Sequence, residues 1–315
     1  MTAAQGHQRS APEGADPTRP NSAQMSLTDT APEIPRATMC GCAACRTPMD
    51  LDTQRVSSAR VWDYLCGGKD NYPVDRRIAG SMARSWPLRA GIEATRRHSE
   101  TAVMTAVRAG VTQVVEIGPG LPGPLPLHAV AQHYVRQARV VYVDCDAQVI
   151  THGRAQTKSD QGPVTWVAGD LSHPLCLLRQ LYAPEAMLDW SRPVAVVASS
   201  VLEDLADHHA TVAAIKQIMH ATAPGSYLSI SGLLDDGSEG IADSVLEANT
   251  QGLAWRPRTP DQTHDYFIGL QVLACARLTA PATAWQLPNT TKEYTDAHAW
   301  GALARKTGKH DREGC

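Results

Sequence analysis

Apolar residues recur along the chain in two periods, and the point where one replaces the other divides the sequence. From Val56 to about Ala109 the spacing is helical. Val61, Tyr64 and Leu65 share a face of "SSARVWDYLCGG", with Ser57 or Ser58 as N-cap and Gly67-Gly68 as stop. A second helix is predicted from Pro73 and a third over 91–109. From Gln113 short β-branched runs take over: "QVVEI" (113–117), "RVVYVD" (139–144), "VTWVA" (164–168), "PVAVVAS" (193–199) and "SYLSIS" (226–231). Helical segments such as "PLHAVAQHYVRQ" and "HHATVAAIKQIMHA" lie between them. Strict alternation of this kind implies right-handed βαβ units on a parallel sheet. Near the end, "LQVLACARLT" and "ATAWQL" follow one another with no helix between, which predicts an antiparallel hairpin closing the sheet. Residues 1–54, rich in Ala, Pro, Thr, Ser, Gln and Asp without apolar periodicity, read as a disordered tail.

Composition narrows the function classes. A chain of 315 residues with 43% hydrophobic content can bury a sizeable core, and a net charge of −3 gives no footprint for nucleic acid or an anionic membrane. The N-terminus lacks a basic region followed by an apolar run, and no stretch of about 18 apolar residues occurs, so the expected location is the cytoplasm. Eight cysteines are mostly scattered, as reduced thiols are; Cys40, Cys42 and Cys45 cluster without the fourth ligand of a zinc site, so no metal is expected.

The candidate chemistry gathers where strands end. Gly118-Pro119-Gly120-Leu121-Pro122-Gly123 satisfies G-x-G-x-x-G, the loop that binds a dinucleotide. Pro122, Pro124 and Pro126 crowd the third glycine, however, removing amide donors and delaying the helix that should receive a pyrophosphate. A nicotinamide-dependent oxidoreductase is therefore disfavoured. A loop with Glu116 at its base suits a sulfonium cation better, and S-adenosylmethionine (SAM) is such a cofactor. Asp144, at the end of the second predicted strand, stands where an acidic residue accepts from ribose hydroxyls. Asp170 ends the third, within reach of an exocyclic amine. As plain structural alternatives, Asp144 and Asp170 could cap helices and Cys145 could be a packed thiol. After the fourth strand, Glu203, Asp204, His208 and His209 are candidates for a general base, Glu203 and His208 foremost.

"VEIGPGLP", "VVYVDCD", "AGDL" and "PGSYLSISG" resemble the successive motifs of class I SAM-dependent methyltransferases. More narrowly, "ARVWDYLCGGKDNYPVDR" (59–76) followed by "IGPGLP" and "LHAVAQ" is similar to an actinobacterial SAM-methyltransferase family formerly described only as a domain of unknown function. The resemblance implies an α/β Rossmann-like fold, with a seven-stranded mostly parallel sheet of order 3-2-1-4-5-7-6 and strand 7 antiparallel. It also implies that Glu116, Gly118 and Gly120 cradle the methionine portion, Asp144 the ribose, and Cys145, Asp170 and Leu171 the adenine. The chain departs from the family where Glu203 replaces a histidine after Val-Leu. The expected organisation is a tail (1–54), a helical lid (55–110), a SAM-binding core (111–290) and a C-terminal tail (291–315). In the lid, Tyr64, Lys69, Asp70 and Asn71 are expected to face the cofactor or a small-molecule acceptor. A SAM-binding sensor without catalysis is the alternative that stays open.

Overall fold

The computed structural model describes residues 52–278 and 297–308, apart from Pro87 and Pro124. Most of the predicted tail and the Cys40–Cys45 cluster lie outside the described residues. Three helices come first: α1 (Ser58–Leu65), α2 (Pro73–Ser85) and α3 (Leu88–Arg108). The alternating part follows, with β1 (Gln113–Ile117), α4 (Leu127–Tyr134), β2 (Arg139–Asp144), α5 (Ala147–Gln156), β3 (Val164–Ala168), α6 (Pro174–Tyr182), β4 (Ala195–Ser199), α7 (His208–Ala221) and β5 (Tyr227–Leu233). Then come α8 (Glu239–Thr250), the short α9 (Pro260–His264), β6 (Gln271–Leu278) and β7 (Ala299–Arg305).

The seven strands form one sheet in the order β3-β2-β1-β4-β5-β7-β6, parallel except for β7, which runs antiparallel to both β5 and β6. Helices cover both faces, so β1, β2, β4 and β5 are buried along nearly their whole length. The first reversal of strand order lies between β1 and β4, the crevice where α/β sheets place their ligands.

The C-terminal reading needs correction. The arm pairing with β6 is "AWGALAR", Ala299–Arg305, inside the span predicted as a tail. The "ATAWQL" segment predicted as that arm lies outside the described residues. β7 is buried on both sides between β5 and β6, where small side chains are what the space admits. Alanine-rich composition hides a strand that tertiary packing makes.

The leading helices are fastened to the sheet at the site's edge. Arg60 and Asp75, both buried, form an ion pair at 2.8 Å that ties α1 to α2. Ser57 Oγ donates to Asp146 Oδ2 (2.8 Å), and Arg60 Nη1 to Gln148 Oε1 (3.3 Å), which ties α1 to the start of α5. Trp62, Trp86 and Trp255 pack together at ring separations of 5.8 Å beneath α1, α2 and α8.

Candidate functional site

The loop after β1 is shaped by two left-handed glycines. Gly118 has φ +69°, and a Cβ there would lie 2.6 Å from the Val201 Cβ, so only glycine fits. Gly120 has φ +67°, and nothing stands within 4 Å of its absent side chain. The first glycine is demanded by the protein's own packing, and the second opens onto free space. α4 begins only at Leu127, with Pro126 as its N-cap, so no helix N-terminus follows directly on Gly118–Gly120. The prolines thus remove the phosphate seat that the glycine pattern suggests.

Asp144, at the end of β2, supports this loop. Its Oδ2 accepts from Gly120 N (3.4 Å) and its Oδ1 from Asp146 N (2.9 Å). The cap of α5 is Asp146, which accepts from Gln148 N (2.8 Å), so Asp144 is not the helix cap.

A cavity of about 410 Å³ lies under the loop, between it, α1, α3 and the end of β4. Glu116, Gly118 and Gly120 line it, as do Asp63, Arg96 and Ser200. Its volume falls within the usual range of small-molecule sites. Four carboxyls crowd this end of the sheet, and burial is the main cause that lifts each of them to about 7. Arg96 opposes the shift of Glu116 and Asp144 adds to it; amides of Asp146, Gly120 and Cys145 oppose that of Asp144. Glu203 and Asp204 behave alike, and Asp204 Oδ1 has no hydrogen-bond partner among the described residues. A buried acidic group of this kind favours a cation.

Other expected site residues lie elsewhere. Cys145 is exposed, and neither it, Asp170 nor Leu171 lines the cavity. Asp170 accepts from Ser172 N (2.8 Å) and contacts His173 Nδ1 (3.1 Å), while Leu171 packs into the core. α1 does reach the cavity, but through Ala59, Trp62 and Asp63 rather than the four residues expected. Tyr64 and Lys69 are exposed. Asn71 is buried in the turn after α1, donating to Asp63 Oδ2 (2.7 Å) and accepting from Arg76 Nη1 (2.9 Å). The Asp70 amide donates to Asp63 Oδ2 as well (2.9 Å), and its carboxylate stands 3.6 Å from His152 Nδ1. Helical position explains the difference, since Asp63 lies one turn beyond Ala59 on the same face and Tyr64 does not.

The expected bases are also placed differently. His208 is held by Asp265 Oδ2 (2.8 Å) and Tyr266 Oη (3.2 Å) and lines no part of the cavity. Glu203 is buried, and its Oε1 accepts from Leu233 N (2.6 Å) where Gly232 leaves it room. Neither lines the cavity. Glu203→Gln keeps the acceptor for Leu233 N–H and removes a buried acid, so at pH 8 it should melt no lower than the parent. Glu203→Ala orphans that amide and should cost about 1–3 kcal/mol. Paired thermal melts at pH 8 check this, and a lower midpoint for the glutamine variant would contradict it.

Missed by the sequence reading were Asp63, Arg96 and Ser200. Ser200 has φ +50°, rare for a residue with a side chain. The available signal for Arg96 was a charge set among Ala94, Thr95 and Ser99, small residues of a buried helix face.

No helix among the described residues is long and apolar enough to cross a membrane. No curated protein matches the chain. A DUF574 family protein from Streptomyces avermitilis is similar in structure, with 29% identity over 81% of this chain and 99% of its own, at a TM-score of 0.72. A Thermobifida fusca protein described as a candidate methyltransferase has 28% identity over 82% of this chain and 97% of its own, at a TM-score of 0.71. The family model for S-adenosyl methyltransferase matches residues 45–307, which takes in the leading helices, the glycine loop and β7 together. The chain therefore belongs to the S-adenosyl methyltransferase family and is a SAM-dependent methyltransferase.

Proposed function

We propose that the cavity under the glycine loop holds the reactive end of SAM and a small-molecule acceptor, and that the chain catalyses in-line methyl transfer between them. The observation that carries this reading is a half-open cavity of about 410 Å³ between two leading helices and the strand ends, lined by Asp63, Glu100 and Glu116. The residues fit the cofactor: Gly120 leaves open space, and the buried carboxyl of Glu116 lines the cavity. In this reading Glu116, Gly118, Gly120 and Asp144 hold the cofactor, with Cys145, Asp170 and Leu171 at the adenine end.

When bound, SAM supplies a methyl group already activated by its sulfonium. The chain's own contribution is alignment and exclusion of water. Gly118 and Gly120 bring backbone close to the ligand, Asp144 fixes the loop through the Gly120 amide, and Trp62 and Asp63 close the side facing α1. A base is required only for an acceptor that arrives protonated.

The test is calorimetry with S-adenosylhomocysteine, followed by transfer of labelled methyl from SAM to a panel of amines, phenols and carboxylic acids. Saturable binding and a labelled small product are expected. Binding without turnover on the whole panel would overturn the catalytic reading in favour of a sensor.

A further inference from the structure

The third glycine of the loop, which the sequence leaves without a role, has one in the structure. A Cβ at Gly123 would come within 2.5 Å of Arg96 Nη1, so the Arg96 guanidinium lies against the loop. Arg96 is half-buried on α3 and lines the cavity, and among the described residues it makes no hydrogen bond or ion pair. A guanidinium carries five donors in a fixed fork that matches a carboxylate.

Ser200, just past the end of β4, has the opposite character. Thr95 has one hydroxyl proton, and it is given to Ile92 O at 2.9 Å. In the 3.0 Å contact between Thr95 Oγ1 and Ser200 Oγ the serine must then be the donor. Ser200 Oγ is left able only to accept, held at the end of β4 by its left-handed backbone. Glu116, near the end of β1, also lines the cavity. Acceptors and a cationic donor lining one cavity are complementary to a zwitterionic α-amino acid.

We propose that Arg96 anchors the α-carboxylate of the cofactor's methionine end while Glu116 and Ser200 receive its ammonium, and that residue 123 is glycine to seat Arg96. The inference rests on the reading of this cavity as the SAM site. Its purpose in the reaction is positional. A methionine end fixed at both charges points the sulfonium in one direction, toward the acceptor side.

Three probes separate the parts by calorimetry: S-adenosylhomocysteine, its decarboxylated analogue S-adenosyl-3-thiopropylamine, and 5′-methylthioadenosine, which lacks the amino-acid end. Arg96→Gln should weaken S-adenosylhomocysteine binding about 10–100-fold, the scale of a lost charge-assisted contact, and leave the other two within about twofold. Gly123→Ala adds a methyl only against the mobile end of an arginine, so it should fold like the parent and shift affinities in the same pattern. Equal loss for all three probes in Arg96→Gln would overturn the proposal, as would no loss for any. If the unaltered protein binds none of the probes, the cofactor reading itself fails, and that result differs from either outcome for Arg96.

Discussion

Gly118→Ala should lower the melting temperature by about 5–15 °C, whereas Gly120→Ala should lower it far less and remove cofactor binding instead. Two costs add at Gly118. A side chain at φ +69° costs about 1–2 kcal/mol, and the new Cβ meets Val201, a branched residue that cannot turn away, at about 1–3 kcal/mol more. For a domain of this size each kcal/mol is worth about 2–4 °C. At Gly120 the conformational cost of about 1 kcal/mol stands alone, because nothing of the protein lies within 4 Å. In the proposed reading the added methyl there meets the ligand, so affinity for S-adenosylhomocysteine should fall at least about tenfold. The steric part at Gly118 can be isolated, since Val201→Ala in the Gly118→Ala background should restore part of the lost stability. Calorimetric melts and titrations of the three variants decide it. Equal melting temperatures for the two single variants would refute the division of roles.

Binding of SAM should tighten as pH rises through about 6 to 8 and should release protons, while the free protein should lose stability over the lower part of the range. Glu116, Asp144, Glu203 and Asp204 all have folded-state values near 7, against ordinary values of 4.5 for glutamate and 3.8 for aspartate. Between those limits the folded chain binds more protons than the unfolded one. Stability therefore falls as pH climbs from about 4 to about 7 and levels off above. A cationic ligand works in the opposite sense, because it favours the ionised carboxyls next to it and displaces their protons. Each proton released makes affinity rise about tenfold per pH unit while the group titrates. Titrations at pH 7 in two buffers of different ionisation enthalpy count the protons directly, and identical heats in both would mean that none leaves. Urea midpoints at pH 5 and pH 8 test the stability half, with the lower midpoint expected at pH 8.

How much of this was legible in the sequence depended on how each segment is buried. β1, β2 and β3 have the bounds read from the sequence, since β-branched runs stop at Gly, Asp or Ala. β4 starts two residues late, at Ala195, because Pro193 has no amide to give the ladder. β7 was unreadable, its alanines and glycine carrying no strand preference of their own. The glycine loop declared itself by spacing, and its prolines correctly argued against a phosphate. Arg96 did not, because a charged residue in a long helix looks like solvated surface until the partner loop is in place. Glu203 stands where its position after β4 suggested chemistry, and β5 runs on to Leu233 and offers it a backbone amide that the sequence did not show.

The late strand also constrains the order in which the molecule can be made. Tyr227 pairs with Arg305 and Leu278 with Ala299, so the inner edge of β5 and all of β6 wait for a segment synthesised long after them. During translation the five parallel strands can assemble from the N-terminal side, but β5, buried along its whole length in the finished fold, presents an unpaired edge until residue 305 has left the ribosome. Insertion of β7 between two strands already made closes that edge. The last strand to be made is the one on which β6 depends for its place in the sheet.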